Sequence, residues 1–292
     1  MAKIRGFGAM FSGSIGEITF AQTEGGTIAK QKVPSHNKSQ SFRQMRQRLQ
    51  LRNIQNMWHR FDGTLRPCFE GRRPGQRDYD AFVSANMVLV PVYLTKEEAR
   101  SRGCVVADYQ ISRGSLAEIQ HGVDAGGMAV TDIALGDLAI GPETTVKEFA
   151  DAVCANNSRH YQNMDRIVCF RCTQQVNAAS GVPYADVVAE EVVLDRSDVA
   201  TLLYDVCSEM CFSTVDGMLG GQMPVPGGMA WMHSRMENEK LRVSTQRLVV
   251  DNDLLPQYQS KEHLAESIRS YGGADIPKFL TPNNTDTVAP ER

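Results

Sequence analysis

Hydrophobic and polar residues alternate in two short segments near the start of the chain. Residues 17–22 and 27–33 both follow the two-residue period of a strand with one buried face. Residues 24–26, Glu-Gly-Gly, lie between them and provide the glycines that a tight turn favours. The pattern predicts a β-hairpin that ends at Pro34.

The next segment follows the period of a helix. Ser41 can cap it, apolar side chains recur with helical spacing up to Phe61, and Asp62-Gly63 ends it. We predict one long helix whose apolar face lies in the core and whose other face presents four arginines. The apolar positions are Phe42, Met45, Leu49, Ile54, Met57, Trp58 and Phe61.

Short apolar runs separated by glycine and proline predict strands over much of the remaining chain. Strands are expected at 88–94, at 105–111, within 132–140, at 166–173, at 184–194, and as a hairpin of 229–235 with 241–250. Helices are expected at 78–87, 144–153, 197–206 and from 260 to 271, with a glycine and methionine loop at 217–229. We therefore predict an α+β fold: β-rich sandwich or barrel sheets, one long N-terminal basic helix and a few short helices.

The two parts of the chain carry opposite net charges. Residues 1–77 contain 14 Lys or Arg and four Asp or Glu, which gives this part a net charge of +10. Residues 78–292 contain 17 Lys or Arg and 30 Asp or Glu, a net charge of −13, and the two parts together give the net charge of −3. We predict a basic glycine-rich lead, hairpin and helix over 1–77, an acidic β-rich body over 78–280 and a flexible arm over 281–292. Such asymmetry is typical of a surface that meets an anion.

Basic residues of the hairpin and the helix form the candidate contact site. They could meet the acidic surface of a neighbouring copy, or the phosphates of nucleic acid in a salt-sensitive way. No signature of a common nucleic-acid-binding module accompanies them. The candidate residues are Lys30, Lys32, Lys38, Arg43, Arg46, Arg48 and Arg52.

Composition is that of a soluble globular protein: of 292 residues, 42% are hydrophobic and 22% charged. No 18-residue apolar run predicts a membrane span, and the glycine-rich start lacks the core of a signal peptide. Seven cysteines, an odd number in a large chain, indicate reduced thiols in the cytosol.

Cys169 and Cys172, followed by Cys207 and Cys211, have a spacing that raises the possibility of a zinc site. In a strand, however, the first two would point to opposite faces, while the last two suit a helix; the alternative is buried free thiols. The six histidines form no metal-binding pair, and neither a nucleophile elbow nor a phosphate loop is present. We predict no catalytic, cofactor-binding or metal-binding residues and no enzymatic activity.

Several motifs together resemble a family of uncharacterised proteins of Bacteroidetes and their phages. The resemblance lies in residues 4–8, 11–18, 39–49, 111–116 and 241–248. The glycine-rich lead and the Ser/Gln/Arg helix motif of that family are kept in part, at Gly6, Gly8, Ser12, Gly13, Gly16 and Ser41 to Arg48. The resemblance implies a β-rich fold and a place among phage-derived structural proteins, and it brings no assigned catalytic residues.

These observations predict a structural subunit of a phage particle, such as a tail, connector or head component, that acts by self-assembly. Its partners would be other copies and neighbouring virion proteins, in a virion assembled in the bacterial cytoplasm. The alternative is a nucleic-acid-binding protein that uses the basic helix on the phosphate backbone. A metal-dependent or thiol enzyme would instead need bound zinc or a reactive cysteine.

Overall fold

The computed structural model describes residues 2–4, 13–23, 26–32, 42–61, 63–64, 68–71 and 75–271. Helices and strands are both abundant in these residues, so the fold class is α+β, as predicted. Lys38, most of the glycine-rich lead and the arm predicted at 281–292 lie outside the described residues.

Four short strands near the start form an antiparallel sheet of their own, in the order β1-β4-β3-β2. The strands are β1 (Ala2–Ile4), β2 (Gly13–Ile15), β3 (Ile18–Thr23) and β4 (Gly26–Gln31). β3 and β4 pair from Ile18 and Gln31 to Thr23 and Gly26, which confirms the predicted hairpin.

The first helix, α1 (Phe42–Arg60), follows this sheet. Its apolar positions from Met45 to Trp58 are buried, and so is Phe61 after its end. The predicted cap residue Ser41 lies outside the described residues. The other helices are α2 (Asp78–Asn86), α3 (Lys96–Arg100), α4 (Val146–Asn156), α5 (Leu203–Val206), α6 (Leu255–Gln259) and α7 (Lys261–Tyr271).

Eleven further strands form three sheets. They are β5 (Gln110–Ser112), β6 (His121–Val123), β7 (Met128–Ala134), β8 (Arg166–Val176), β9 (Pro183–Val193), β10 (Ser213–Val215), β11 (Met218–Gln222), β12 (Gly227–Glu237), β13 (Lys240–Val243), β14 (Gln246–Arg247) and β15 (Val249–Asp251). The central sheet has the order β13-β12-β8-β9, with β15 also paired to β12; a second sheet has the order β10-β11-β7-β6, and β14 pairs with β5.

Both faces of the central sheet are covered, because side chains alternate between the faces of a strand. Phe170 and Cys172 of β8 join a hydrophobic cluster with α1 and α2. Ile167 and Cys169 of the same strand join a second cluster with α4, β7 and β11. The sheet therefore separates two hydrophobic cores, and β8 is apolar on both sides.

The predicted strand at 88–94 is wrong: this segment is irregular although Val90, Val92 and Leu94 are buried. Pro91 has no backbone N–H to give to a ladder. The N–H of Val90 donates to Asn86 C=O at 3.1 Å, as in a helix end. Burial alone therefore explains the apolar run.

The predicted strand at 105–111 is confirmed only at its end, where β5 begins at Gln110. Before it, side chains take the place of a neighbouring strand. The N–H of Val105 donates to Asn53 Oδ1 at 3.1 Å, and that of Val106 donates to Gln174 Oε1 at 2.7 Å. These bonds satisfy a buried, apolar backbone without a ladder.

Two further predictions, both near glycine-rich segments, are wrong in part. The strand expected within 132–140 is β7, which ends at Ala134. The loop expected at 217–229 contains β11 and the start of β12. A Cβ at Gly221 would lie 2.5 Å from Met210 O, so glycine here permits close backbone approach within a sheet and does not mark a loop.

The helix expected at 197–206 is confined to Leu203–Val206. In the segment before α5, aspartate side chains bind backbone N–H groups instead. Asp195 Oδ1 accepts a hydrogen bond from Ser197 N–H at 2.8 Å, and Asp198 Oδ1 accepts one from Thr201 N–H at 3.0 Å. Such local bonds compete with helix formation. The helix expected at 144–153 is confirmed as α4, capped by Thr145.

Candidate functional site

Two of the predicted contact residues lie on or beside the N-terminal sheet. Lys30 is in β4 and Lys32 follows that strand, and both side chains are exposed. Both can therefore meet an acidic partner.

The arginines of α1 do not share one face, contrary to the sequence prediction. Successive helical residues are rotated by about 100°, which places Arg43 and Arg52 on opposite sides of the helix. Arg48 and Arg52, four residues apart, are neighbours on its exposed side, and Arg43 is exposed in the first turn. The spacing of the four arginines does not follow the helical period.

Arg46 makes a contact within the chain. Its Nε donates to Tyr93 Oη at 2.9 Å, and its guanidinium carbon lies 6.0 Å from the centre of the Tyr93 ring. Tyr93 is buried in a small cluster with Met45 and Leu49. Arg46 thus helps to hold α1 against the body. Of the candidate contact residues, the exposed ones are Lys30, Lys32, Arg43, Arg48 and Arg52, which we call the exposed basic residues.

The N-terminal sheet has an apolar face, which sequence reasoning did not identify. Paired residues of an antiparallel sheet share a face, so the pairs Ile15–Ile18 and Phe20–Ala29 lie on the same side. Ile15 is 71% exposed and Ile18 is 47% exposed. The described residues of this sheet contribute nothing to the three hydrophobic clusters of the protein. We call these four residues the N-terminal apolar face.

The four cysteines considered for zinc are divided between the two cores. Cys169 and Cys172 lie on opposite faces of β8, as predicted for a strand. Cys207 and Cys211 have the spacing of helix neighbours, but α5 ends at Val206 and they do not lie on a helix. All seven cysteines are buried free thiols. Within the described ranges, no group of three or more His, Cys, Asp or Glu side chains could hold a metal ion.

A buried ionic cluster, absent from the sequence prediction, joins the start of β8 to β12. Asp165 Oδ2 accepts hydrogen bonds from His233 Nε2 at 2.9 Å and from Arg235 Nη2 at 2.6 Å. Its Oδ1 accepts from Arg235 Nε at 2.8 Å, and the N–H of Gln162 donates to Oδ2 at 2.8 Å. Asp165 and His233 are each only 1% exposed.

The electrostatics of this cluster favour the ionised carboxylate. Burial acts to raise the pKa of Asp165, but the hydrogen bonds from Arg235 and His233 outweigh it and lower the pKa below its ordinary value. The bond to Asp165 raises the pKa of Arg235 in turn. The charged form of the pair is therefore the stable one.

An Asp–His pair orients a general base in many hydrolases. Here the ring of Tyr161 covers His233, with ring centres 4.5 Å apart. In the part of the chain that the structure describes, no Ser, Thr or Cys side chain bonds to the His233 ring. Arg235 Nη2 also donates to His160 C=O at 2.8 Å. The cluster ties the segment before β8 to β12, which is a structural role.

The sequence contains part of the information needed to predict this ionic cluster. His233 and Arg235 are two residues apart and so share one face of a strand. The pairing of β12 with β8 then brings them to Asp165, which directly precedes β8. That pairing is tertiary information that residue spacing does not contain.

None of the described helices is long and apolar enough to cross a membrane. Ile15 and Ile18 add exposed apolar side chains to the exposed basic residues of the N-terminal part. The chain matches no protein family model, no curated protein and no solved structure.

Proposed function

We propose that the protein is a non-enzymatic structural subunit that assembles with copies of itself, as a tail, connector or head component of a phage particle does. One observation carries the proposal: Ile15 and Ile18, which are neighbours on one face of the N-terminal sheet, are 71% and 47% exposed. Contiguous exposed apolar surface is typical of interaction sites. A neighbouring subunit would cover it.

The distribution of charge supports the same function. The exposed basic residues belong to the part of the chain with net charge +10, and the remainder carries −13. Attraction between the basic part of one copy and the acidic body of the next gives a head-to-tail contact, which builds rings or filaments. A sandwich-like body made of the central sheet and the second sheet would provide a rigid unit for such an assembly. The motif resemblance to phage-associated proteins agrees with a virion location.

Replacing Ile15 and Ile18 together by serine should weaken self-association at least tenfold. Burial of an isoleucine contributes about 1.5–3 kcal/mol, and about 1.4 kcal/mol corresponds to a tenfold change in affinity. The measurement is solution mass by light scattering over a concentration series. The matched control replaces Val88 and Val199, which are 88% and 66% exposed on the body, by serine and should assemble normally. A monomeric wild type would refute the proposed function.

Reversing Arg43, Arg48 and Arg52 to glutamate should abolish assembly and leave the monomer folded, because these side chains are exposed. Arg46 is left in place to keep its bond to Tyr93. Circular dichroism checks folding, and light scattering at two salt concentrations measures assembly. The control variant reverses the same number of exposed charges at Arg159, Lys261 and Arg269. Equal assembly of both variants would rule out the charge mechanism.

A second candidate function is nucleic-acid binding, which is favoured by the neighbouring exposed positions of Arg48 and Arg52 on α1. The same samples separate the two functions. Absorbance at 260 nm that falls away at high salt, with a steep salt dependence in a DNA titration, would support binding to phosphates. A discrete oligomer free of nucleic acid supports assembly.

A further inference from the structure

Two cysteine side chains in the cluster that contains α4, β7 and β11 contact each other. Cys169 lies on β8, and Cys211 lies between α5 and β10. The Cys169 thiol donates a hydrogen bond to the sulfur of Cys211. Cys169 is 0% exposed and Cys211 is 1% exposed. Two thiols from segments distant in sequence are therefore adjacent in the core.

The two strands beside β8 hold the segment that carries Cys211 over Cys169. Cys169 is paired with Glu190 of β9 and with Trp231 of β12, and paired residues share a face of the sheet. Glu190 Oε2 accepts hydrogen bonds from Ser208 N–H at 2.7 Å and from Ser208 Oγ at 2.9 Å. Trp231 Nε1 donates to Cys211 C=O at 3.1 Å. The contact between the two sulfurs is therefore fixed on both sides by bonds in which the sulfurs take no part.

The other five cysteines are not paired in this way. Cys207 also lies near Cys211, but its thiol donates to Leu203 C=O at 3.1 Å, back toward α5. Cys104 and Cys172 lie in the other core, where the sulfur of Cys104 accepts a backbone hydrogen bond. In the described part of the chain, which includes all seven cysteines, no other two thiols bond to each other.

We propose that Cys169 and Cys211 are a modification site at which a peroxide forms a disulfide bond. The Cys211 thiolate attacks one oxygen of hydrogen peroxide and the O–O bond breaks. The hydroxide that leaves takes up the proton that Cys211 has lost, which gives water and a sulfenic acid. The Cys169 sulfur then attacks the Cys211 sulfur, the S–O bond breaks, and hydroxide leaves with the Cys169 proton as a second water. The two thiols lose two electrons in total, the peroxide gains them, and the reaction does not depend on the proposed self-assembly.

The core position of the site determines how fast it reacts. Burial, the bond to Cys211 and the charge of Glu190 all raise the pKa of the Cys169 thiol. Because the thiolate is the reactive form, oxidation should be slow at pH 7 and should speed up about tenfold for each pH unit above it. Hydrogen peroxide, which is close to water in size, reaches a buried thiol through small local openings of the structure. The pair should therefore resist brief exposure to peroxide and oxidise on lasting exposure.

Counting thiols after peroxide treatment tests the site. The folded protein is treated with hydrogen peroxide at pH 8, freed of the peroxide, unfolded, and alkylated with iodoacetamide. Mass spectrometry should find five of the seven thiols alkylated, compared with all seven in the untreated protein, and a dithiol reductant should restore the other two. Peptide mapping should identify Cys169 joined to Cys211. Seven alkylated thiols, a bond between Cys207 and Cys211, or loss of thiols without a cross-linked peptide would overturn the proposal.

Two serine variants separate this site from general oxidation of the thiols. Cys211→Ser should lose the cross-link completely. The matched control is Cys207→Ser, which removes a cysteine from the same segment and should form the cross-link at the wild-type rate. If Cys211→Ser does not fold, the peptide map of the wild type still decides the proposal. Equal rates of cross-linking at pH 7 and pH 8 would overturn the reaction through the thiolate.

The disulfide should also stabilise the protein. It closes a long loop of the unfolded chain, so the midpoint of thermal unfolding should rise by about 4–8 °C in the oxidised wild type. Differential scanning calorimetry before and after peroxide treatment measures this shift. A lower midpoint would show that the bond forms only when the segment around Cys211 is displaced, which contradicts a site built into the fold.

Discussion

Replacing Trp231 by alanine should lower the free energy of unfolding by about 3–5 kcal/mol. Trp231 is fully buried on β12, in the cluster that joins the central sheet to α4 and β7. Its indole N–H donates to Cys211 C=O at 3.1 Å. The alanine variant loses the apolar contacts, leaves a cavity and removes the partner of a buried carbonyl, and these losses add.

Urea denaturation followed by far-ultraviolet circular dichroism measures the effect of Trp231→Ala. Met236→Ala on the same strand is the control, because Met236 is 60% exposed and its loss should change stability by less than about 0.5 kcal/mol. A loss below about 1 kcal/mol for Trp231→Ala would contradict the packing of this cluster.

The elements that the sequence predicted well are those whose pattern is set by their own residues. β8 and β9 are long, rich in β-branched and aromatic residues, and bounded by turns. The turn of the β12–β13 hairpin was also predictable, and it falls on Asn238 and Glu239. The arm predicted at 241–250, however, is divided into β13, β14 and β15, and β14 pairs with β5. α1 was predictable because its buried side chains recur with the helical period.

The elements that were mispredicted depend on partners far away in sequence. Val105 and Val106 are apolar and β-branched, yet the side chains of Asn53 and Gln174 bind their N–H groups in place of a strand ladder. Gly221 is a strand residue because Met210 O lies too close for any side chain. Neither contact can be inferred from the local propensity of these residues.

The residues of the candidate site were likewise predictable only in part. Exposure of Arg48 and Arg52 follows from the amphipathic pattern of α1 and was predictable. The bond from Arg46 to Tyr93 was not predictable, because it requires knowledge of which segments are neighbours in the fold. Basic residues can be found by composition, whereas a contact between distant segments is found only in the folded structure.

Replacing Asp165 by asparagine should cost about 3–5 kcal/mol of stability at pH 7, because it leaves the half-buried Arg235 without its counter-charge. The side chains are close in size, so packing changes little and the loss reports on charge and hydrogen bonding. Thermal or urea unfolding measures it. The control is Asp137→Asn, at an exposed carboxyl, which should stay within about 0.5 kcal/mol of the wild type.

The pH dependence of this loss separates an ionic role of Asp165 from a merely steric one. A carboxyl whose pKa is lower in the folded than in the unfolded protein stabilises the fold above its unfolded pKa, and the contribution disappears as the pH falls through the folded pKa. The pKa of Asp165 is lowered by Arg235 and His233 against the effect of burial, so the wild type should lose this stability below about pH 4. Asparagine does not titrate, and the stability gap between wild type and Asp165→Asn should therefore narrow as the pH falls from 7 to 3. A gap that stays constant over this range would show that the ionisation of Asp165 does not account for the loss of stability.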